Sequence, residues 1–338
     1  MYPTFAQIEG GLWGLLVGDA VGVPYEFHSP EEIPPFPDIQ MIPPEGFSRS
    51  YSHVPLGTWS DDGAQALCLA ASLIEKPEFD LTDFAERLLA WSTQGYMAVG
   101  GKVFDIGIQT GAALHRLARG EPPASSGLNG ERNNGNGSLM RSLPLALLHR
   151  GDDSSLVELA HLQSSVTHSH PRSQACCALY CLWARREIHG HPSPWENAVE
   201  TLRAIYQKGS PHSIELETHI LPASQPSGTG YVVDAIHSAR HACKAPDYAA
   251  VIQSAIALGN DTDTTACIAG GIAGIRHGKS GIPAAWLESF RGTEILDPLL
   301  DQIHGIGTNL AQDHSGGLCS NQHPRTHRHH PPGRRRKQ

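Results

Sequence analysis

The sequence has no apolar run approaching the roughly 20 residues that a membrane-spanning helix needs, so a membrane protein is not expected. Its start, Met1-Tyr2-Pro3-Thr4-Phe5-Ala6-Gln7, has no basic segment, and no secretory signal is expected. Charged residues are sparse at 17% and lean acidic, with a net charge of −9, which argues against a basic nucleic-acid footprint. The balance in the body is more negative still, because Arg325, Arg328, Arg334, Arg335, Arg336 and Lys337 crowd the last two dozen residues. The seven cysteines are odd in number and sit mostly in apolar helical stretches (Cys68, Cys176, Cys177, Cys181, Cys243, Cys267). Such a set reads as reduced core thiols of a cytoplasmic protein. His168, His170, Cys176 and Cys177 match no ordinary zinc spacing. Gly274-Ile275-Arg276-His277-Gly278-Lys279-Ser280 is one residue short of a phosphate-binding loop and follows a helix rather than a strand. Period-2 alternation between turn signals is missing, as are the rhythm of alternating strands and helices and any internal repeat.

What the chain does have is helical periodicity. Ile8, Leu12, Leu15, Leu16 and Val17 predict a buried helix over 5–20, ending in Gly18-Asp19-Ala20-Val21-Gly22. Further helices are expected over 63–75, 80–93 (with Asp80 as cap), 107–119, 139–149, 154–166, 171–189, 194–207, 230–243 and 246–258. Residues 28–57, with seven prolines, read as an irregular surface loop of the kind that can act as a lid. Residues 121–137 and 209–229 read as loops. The fold class is all-α. One domain over 1–311 is expected, followed by a His-, Arg- and Pro-rich tail over 312–338 that cannot bury apolar surface and should be disordered.

The chemistry concentrates in two acidic clusters about 200 residues apart. Gly259-Asn260-Asp261-Thr262-Asp263-Thr264-Thr265 precedes a run of small and apolar residues in which Ala269, Gly270, Ala273 and Gly274 would let another helix approach closely. Taken alone, this stretch is as well explained by an Asp/Thr cap on a buried helix. Gly57-Thr58-Trp59-Ser60-Asp61-Asp62-Gly63 repeats the pattern at the mouth of another apolar helix. Nearby carboxylates repel unless a proton or a cation holds them together, and oxygen-only ligands suit a hard divalent ion. Together Ser60, Asp61, Asp62, Asp261, Asp263 and Thr264 supply six oxygen ligands, and four carboxylates balance two divalent ions.

These clusters, with Gly18-Asp19-Ala20-Val21-Gly22 and Glu26, Phe104-Asp105-Ile106-Gly107, Gly135-Asn136-Gly137-Ser138-Leu139-Met140-Arg141, Thr167-His168 and Gly230-Tyr231-Val232-Val233, occur in an order that resembles the ADP-ribosylglycohydrolase family. The likeness runs from about residue 5 to 305. It implies a compact, single-domain orthogonal helical bundle with two Mg²⁺ (or Mn²⁺) ions bound by the six residues just named. It further implies Glu26 as the carboxylate that works on water or gates the site, and Asp105 as an assistant at the ribose. Asn133, Asn134, Gly135, Asn136, Gly137 and Ser138 would wrap the diphosphate and ribose, with His168 and Tyr231 near the nucleotide. Each has an ordinary alternative: the loop could be a plain turn, His168 a surface or core histidine, Glu26 a surface carboxylate and Asp105 a helix cap.

The implied activity is hydrolysis of the glycosidic bond at ribose C1″, with ADP-ribosyl-arginine on protein ranked first. Serine-linked ADP-ribose, a modified nucleic-acid base and a free ADP-ribose derivative come next. A non-catalytic relative (an ADP-ribose binder or a structural protein with the same fold) and a phosphohydrolase that cuts the diphosphate are the rival classes. The expected partner is an ADP-ribosylated protein or an ADP-ribose-containing small molecule, with nucleic acid only as a modified substrate, and the chain is expected to be a monomer. Two residues depart from the family pattern: Gly63, where Thr or Ser is more usual, and Asn260, where Gly is usual.

Overall fold

A computed structural model describes residues 2–76, 78–222 and 225–315. Of the tail expected over 312–338, residues 312–315 belong to the last helix and the rest lies outside the described residues. Among the described residues the regular structure is helical, without a β-strand. The longer helices are α1 (Phe5–Gly22), α2 (Asp61–Glu75), α3 (Leu81–Gln94) and α4 (Ile108–Ala118), followed by the four-residue α5 (Pro123–Ser126). Next come α6 (Leu143–Leu148), α7 (Asp153–Ser165), α8 (Pro171–Ile188), α9 (Pro194–Ile205) and the short α10 (Pro211–Glu215). The chain continues with α11 (Val232–Ala242), α12 (Tyr248–Ile256), α13 (Thr262–His277), α14 (Ala284–Ser289) and α15 (Thr293–Ser315). No helix among these residues is long and apolar enough to cross a membrane.

The centre of the molecule is the pair α1 and α13. Both are buried along almost their whole length, with Leu12, Leu15, Leu16, Val17, Ile268 and Ile272 fully enclosed. Their backbones touch because glycines face one another. A Cβ on Gly14 would lie 2.3 Å from the Gly270 carbonyl oxygen, and one on Gly10 would lie 2.4 Å from that of Gly274. One on Gly18 would lie 2.2 Å from the Ala266 carbonyl oxygen. The contact runs the length of the two helices and ends at Gly22, where a Cβ would meet the Asp263 Cα at 2.4 Å. The acidic start of α13 is thereby fixed against the loop that carries Glu26.

Capping chemistry sets the local ends. Thr4 and Gln7 form a reciprocal capping box on α1, Asp80 accepts from the Thr82 and Asp83 amides, and Asp247 accepts from Ala250. Three parts of the sequence reading need correction, and the first is the loop expected over 121–137, which contains the four-residue α5. The helix expected from 139 begins only at Leu143, because Leu139 and Met140 donate to the Asn136 carbonyl in a turn and Pro144 sets the first helical turn. The connection expected over 209–229 contains α10, started by the Ser210 cap and Pro211, and a wide turn over Leu216–Ile220.

Candidate active site

The two acidic clusters meet at the N-termini of α2 and α13. Ser60 caps α2, and its hydroxyl lies 3.1 Å from Asp62 Oδ2. From the other cluster the Thr264 hydroxyl reaches the same Asp62 oxygen at 3.3 Å, across 202 positions of sequence. Asp263 accepts from the Thr264 amide at 2.9 Å. Asp261 precedes α13 without capping it, and its Oδ2 accepts from the Asn136 amide group at 2.9 Å. Glu26, which ends a single 3₁₀ turn after α1, is 4% exposed and turns inward. Glu26, Asp261 and Asp263 each offer a carboxylate oxygen within 4.8 Å of the others. Three carboxylate oxygens, Glu26 Oε2, Asp62 Oδ1 and Asp263 Oδ2, are buried without any hydrogen-bond partner.

That is a costly arrangement for a folded chain, since a buried acceptor ordinarily has a partner. Its electrostatics follow from the geometry. Burial, then the charges of Asp105, Asp261 and Asp62, push Glu26 up to about 10. Asp61, Asp62 and Asp263 are raised well above the usual carboxylate range, first by burial and then by one another's charge and that of neighbouring acids. The Asp105 carboxyl is also raised, by burial and by Asp261. Such a set is stable when protons or cations lie among the oxygens. The donor set is all oxygen, which fits a hard divalent ion, and the unpartnered oxygens are the ones such an ion would satisfy.

Other expected residues fall around this centre. Asp105 does not cap α4; Gly107 holds that position without a side-chain bond. The Tyr51 hydroxyl lies against both Glu26 and Asp105, and burial and their charges hold the phenol well above its usual range. The 131–138 loop is tied by backbone bonds from Asn136 N to Gly230 O (3.0 Å) and from Val232 N to Asn134 O (3.0 Å), pairing Gly135 with Tyr231. The Asn133 carbonyl accepts from Gln109 at 2.9 Å. Asn134 and Ser138 face inward: Asn134 Oδ1 accepts from the Ser173 hydroxyl, and the fully buried Ser138 hydroxyl accepts from Ser164. The His168 ring edge lies against Gly135 and Gly137, whose missing side chains leave it room; its Nε2 would be 3.4 Å from a Cβ on either. Tyr231 is partly exposed and accepts from Arg172 Nη1 at 3.2 Å.

Both departures have a structural reason. Asn260 has φ +61° and Phe27 φ +63°, and two backbone bonds join their segments: Phe27 N–H donates to Asn260 O at 2.6 Å and Asn260 N–H to His28 O at 2.7 Å. Asparagine tolerates this left-handed conformation, and its side chain donates to Ser227 O at 2.9 Å. Gly63 donates to Asp19 Oδ2 at 2.8 Å, and a Cβ there would meet Leu16, Trp59 and that carboxylate at 2.7–3.0 Å.

Several residues that shape the site were given no role by the sequence, Asp19 among them although it stands in the Gly18–Gly22 landmark. Asp19, fully buried, accepts from the Ser60 and Gly63 amides and so aims the α2 N-terminus; burial raises it to about 7. An aspartate inside an apolar helix was the available signal. Gln65 donates to Asp61 Oδ2 at 2.9 Å. Tyr51 gave no signal, because it lies in the proline-rich loop. A second group of possible ligands, Glu131, His170 and Glu215, is already engaged: Arg172 bonds both glutamates at 2.7 Å.

A family model described as ADP-ribosylglycohydrolase matches residues 2–313. The chain is 30% identical over 301 residues to the ADP-ribosylarginine hydrolase Tri1 of Pseudomonas putida (strain GB-1), covering 88% of this chain and 77% of that protein. It is 28% identical to the ADP-ribosyl-[dinitrogen reductase] glycohydrolase of Rhodospirillum rubrum, covering 82% of this chain and 88% of that one. Among solved structures it is similar to an ADP-ribosylglycohydrolase-related protein complex, with a TM-score of 0.69 and 28% identity over 88% of this chain and 96% of the other.

Proposed function

We propose, from the premise that this chain belongs to the ADP-ribosylglycohydrolase family, that it releases ADP-ribose from arginine side chains of modified proteins by hydrolysis at ribose C1″. The observation that carries the reading is the set of buried carboxylate oxygens without partners at Glu26, Asp62 and Asp263, beside Asp61 and Asp261. A binder needs no such repulsive cluster, whereas a cation-dependent hydrolase does. The arginine linkage rests on the similarity to an enzyme named for that substrate.

Ser60, Asp61, Asp62, Asp261, Asp263 and Thr264 would hold two divalent ions, Mg²⁺ or Mn²⁺, which when bound orient ribose hydroxyls and balance the carboxylate charge. The remaining work falls to the chain itself. Breaking the C1″ bond builds oxocarbenium character, and the surrounding carboxylates stabilise that positive charge. Glu26, turned inward at the end of its 3₁₀ turn, orients the attacking water and, as the carboxylate that a cluster balanced by divalent ions would leave, takes its proton while the arginine guanidine departs. Asp105, beside the Tyr51 hydroxyl, acts at the ribose. The Asn133–Ser138 loop, tied to Gly230 and Val232, holds the diphosphate and ribose through its backbone. His168, kept neutral by burial at about 3, and Tyr231 line the nucleotide side.

The test is a release assay on arginine-, serine- and nucleic-acid-linked ADP-ribose with Mg²⁺ or Mn²⁺ added. Intact ADP-ribose from the arginine substrate is expected, and AMP as product would point to diphosphate cleavage instead. Asp62→Ala and Asp261→Ala should each abolish release with the helical fold retained. No release from any substrate would overturn the reading.

A further inference from the structure

Arg141 is fully buried, and among the described residues it bonds to no carboxylate. Its guanidinium lies 5.3 Å from the centroid of the Phe84 ring, and every hydrogen bond it makes goes to a neutral oxygen. Nε donates to Gln163 Oε1 at 2.9 Å and Nη1 to Gln65 Oε1 at 2.7 Å. Nη2 donates to Gln163 O and to the Thr167 hydroxyl oxygen, both at 2.9 Å. Burial lowers this group only to about 10, so it is a cation at neutral pH.

A guanidinium can only donate, and that decides the direction of every bond beyond it. Gln65 must turn its carbonyl oxygen to Arg141, which leaves its NH₂ facing Asp61 Oδ2 at 2.9 Å. Gln163 must do the same, so its NH₂ donates to Ser138 O at 3.0 Å and to the Ser142 hydroxyl at 2.9 Å. The Thr167 oxygen is engaged as an acceptor, and its single proton points to His168 Nδ1, 2.7 Å away. The opposite tautomer would leave the Thr167 proton without an acceptor in a fully buried position. His168 therefore carries its proton on Nε2, the atom beside Gly135 and Gly137.

We infer that Arg141 is a positioning residue that sets the hydrogen-bond polarity of the site from below. Through Gln65 it presents an N–H to the Asp61 carboxylate. Through Thr167 it fixes the imidazole of His168 as an Nε2–H donor toward the Gly135–Gly137 loop. Through Gln163 it anchors the end of that loop at Ser138. One cation so joins the acidic half of the site to the half that faces the nucleotide. The inference rests on the proposed reading of the site for its catalytic meaning, but the tautomer itself does not depend on it.

The test uses ring ¹⁵N chemical shifts of histidine-labelled full-length protein, with the His168 signals assigned by their loss in His168→Gln. The wild type is expected to show the neutral Nε2–H pattern at pH 7. Thr167→Val removes the hydroxyl at nearly constant volume and should shift His168 toward Nδ1–H, with kcat/KM reduced at least tenfold and the circular dichroism unchanged. Thr167→Ser should restore both the spectrum and the rate. Arg141→Lys, whose single ammonium cannot serve Gln65, Gln163 and Thr167 together, should shift the His168 signals in the same direction. An Nδ1–H His168 in the wild type, or a Thr167→Val protein with unchanged His168 signals, overturns the assignment whether or not the protein proves active on ADP-ribosyl-arginine.

Discussion

Asn260 shows how one residue can serve backbone and site together. Its left-handed backbone, paired with that of Phe27, brings the turn after Glu26 against the start of α13. A left-handed conformation costs a β-branched residue of order 1–3 kcal/mol, and much less for Asn or Gly. Asn260→Gly should therefore change stability by less than about 1 kcal/mol. Asn260→Val should lose about 1–3 kcal/mol in denaturant unfolding and reduce ADP-ribose release. Asp263 makes the opposite bargain. Its Oδ2 is buried and unpartnered, and its ionised form is disfavoured by burial and by Glu26, Asp62 and Asp261. Asp263→Asn keeps the acceptor for the Thr264 amide but removes the charge. The metal-free variant should melt a few degrees above the wild type while release of ADP-ribose is lost, a trade of stability for activity. A variant that melts lower in chelator would show that the aspartate is a structural group.

At the scale of elements, the molecule depends on α1 and α13 lying backbone to backbone. Gly14→Val would place a branched side chain where even a Cβ is 2.3 Å from the Gly270 carbonyl oxygen, with no flexible neighbour to yield. Overpacking of this kind costs about 1–3 kcal/mol when the core can shift and more when backbone is the obstacle. Loss of soluble folded protein, or a drop of more than about 3 kcal/mol by urea titration, is the expected outcome. The small residues of α13 announced a close approach, but periodicity carries no information about the partner, and α1 lies some 250 positions away. Helices with long periodic faces were legible, as in α2, α3 and α8. α10, which rests on a cap and one turn, is too short to show a period, and the long α15 is masked by Pro298, which reads as a breaker. The same distinction holds in the site. Asp61, Asp62, Asp261 and Asp263 stood out because acids before apolar runs are conspicuous. Arg141, Gln65 and Tyr51 matter through contacts that only the folded chain brings together.

The whole molecule carries two opposed proton linkages. His161 and His168 are buried neutral, held near 3 first by burial and then by a neighbouring charge, His212 and Arg141 respectively. A histidine whose folded value lies below its unfolded 6.5 contributes stability that is present above 6.5 and is lost as pH falls toward 3. Glu26 runs the other way. Its folded value, about 10 against 4.5, means that its contribution is complete below 4.5 and is lost as pH rises toward 10. Asp61, Asp62 and Asp263 are raised as well and add to the alkaline side. Metal-free protein should therefore be most stable in weakly acidic solution and lose stability through pH 7 and 8. A divalent cation replaces the protons that the cluster otherwise needs, so its stabilisation should grow with pH. At one hundred times its dissociation constant a ligand stabilises by about 2.7 kcal/mol, which for a chain of this length is about 4 °C in Tm. Calorimetry with chelator, Mg²⁺ and Mn²⁺ between pH 5 and 8.5 measures this directly. The expected result is a metal-induced rise in Tm that is small at pH 5, grows toward pH 8 and disappears in Asp263→Asn. A rise independent of pH, or one that survives that substitution, would place the cation somewhere other than among these carboxylates.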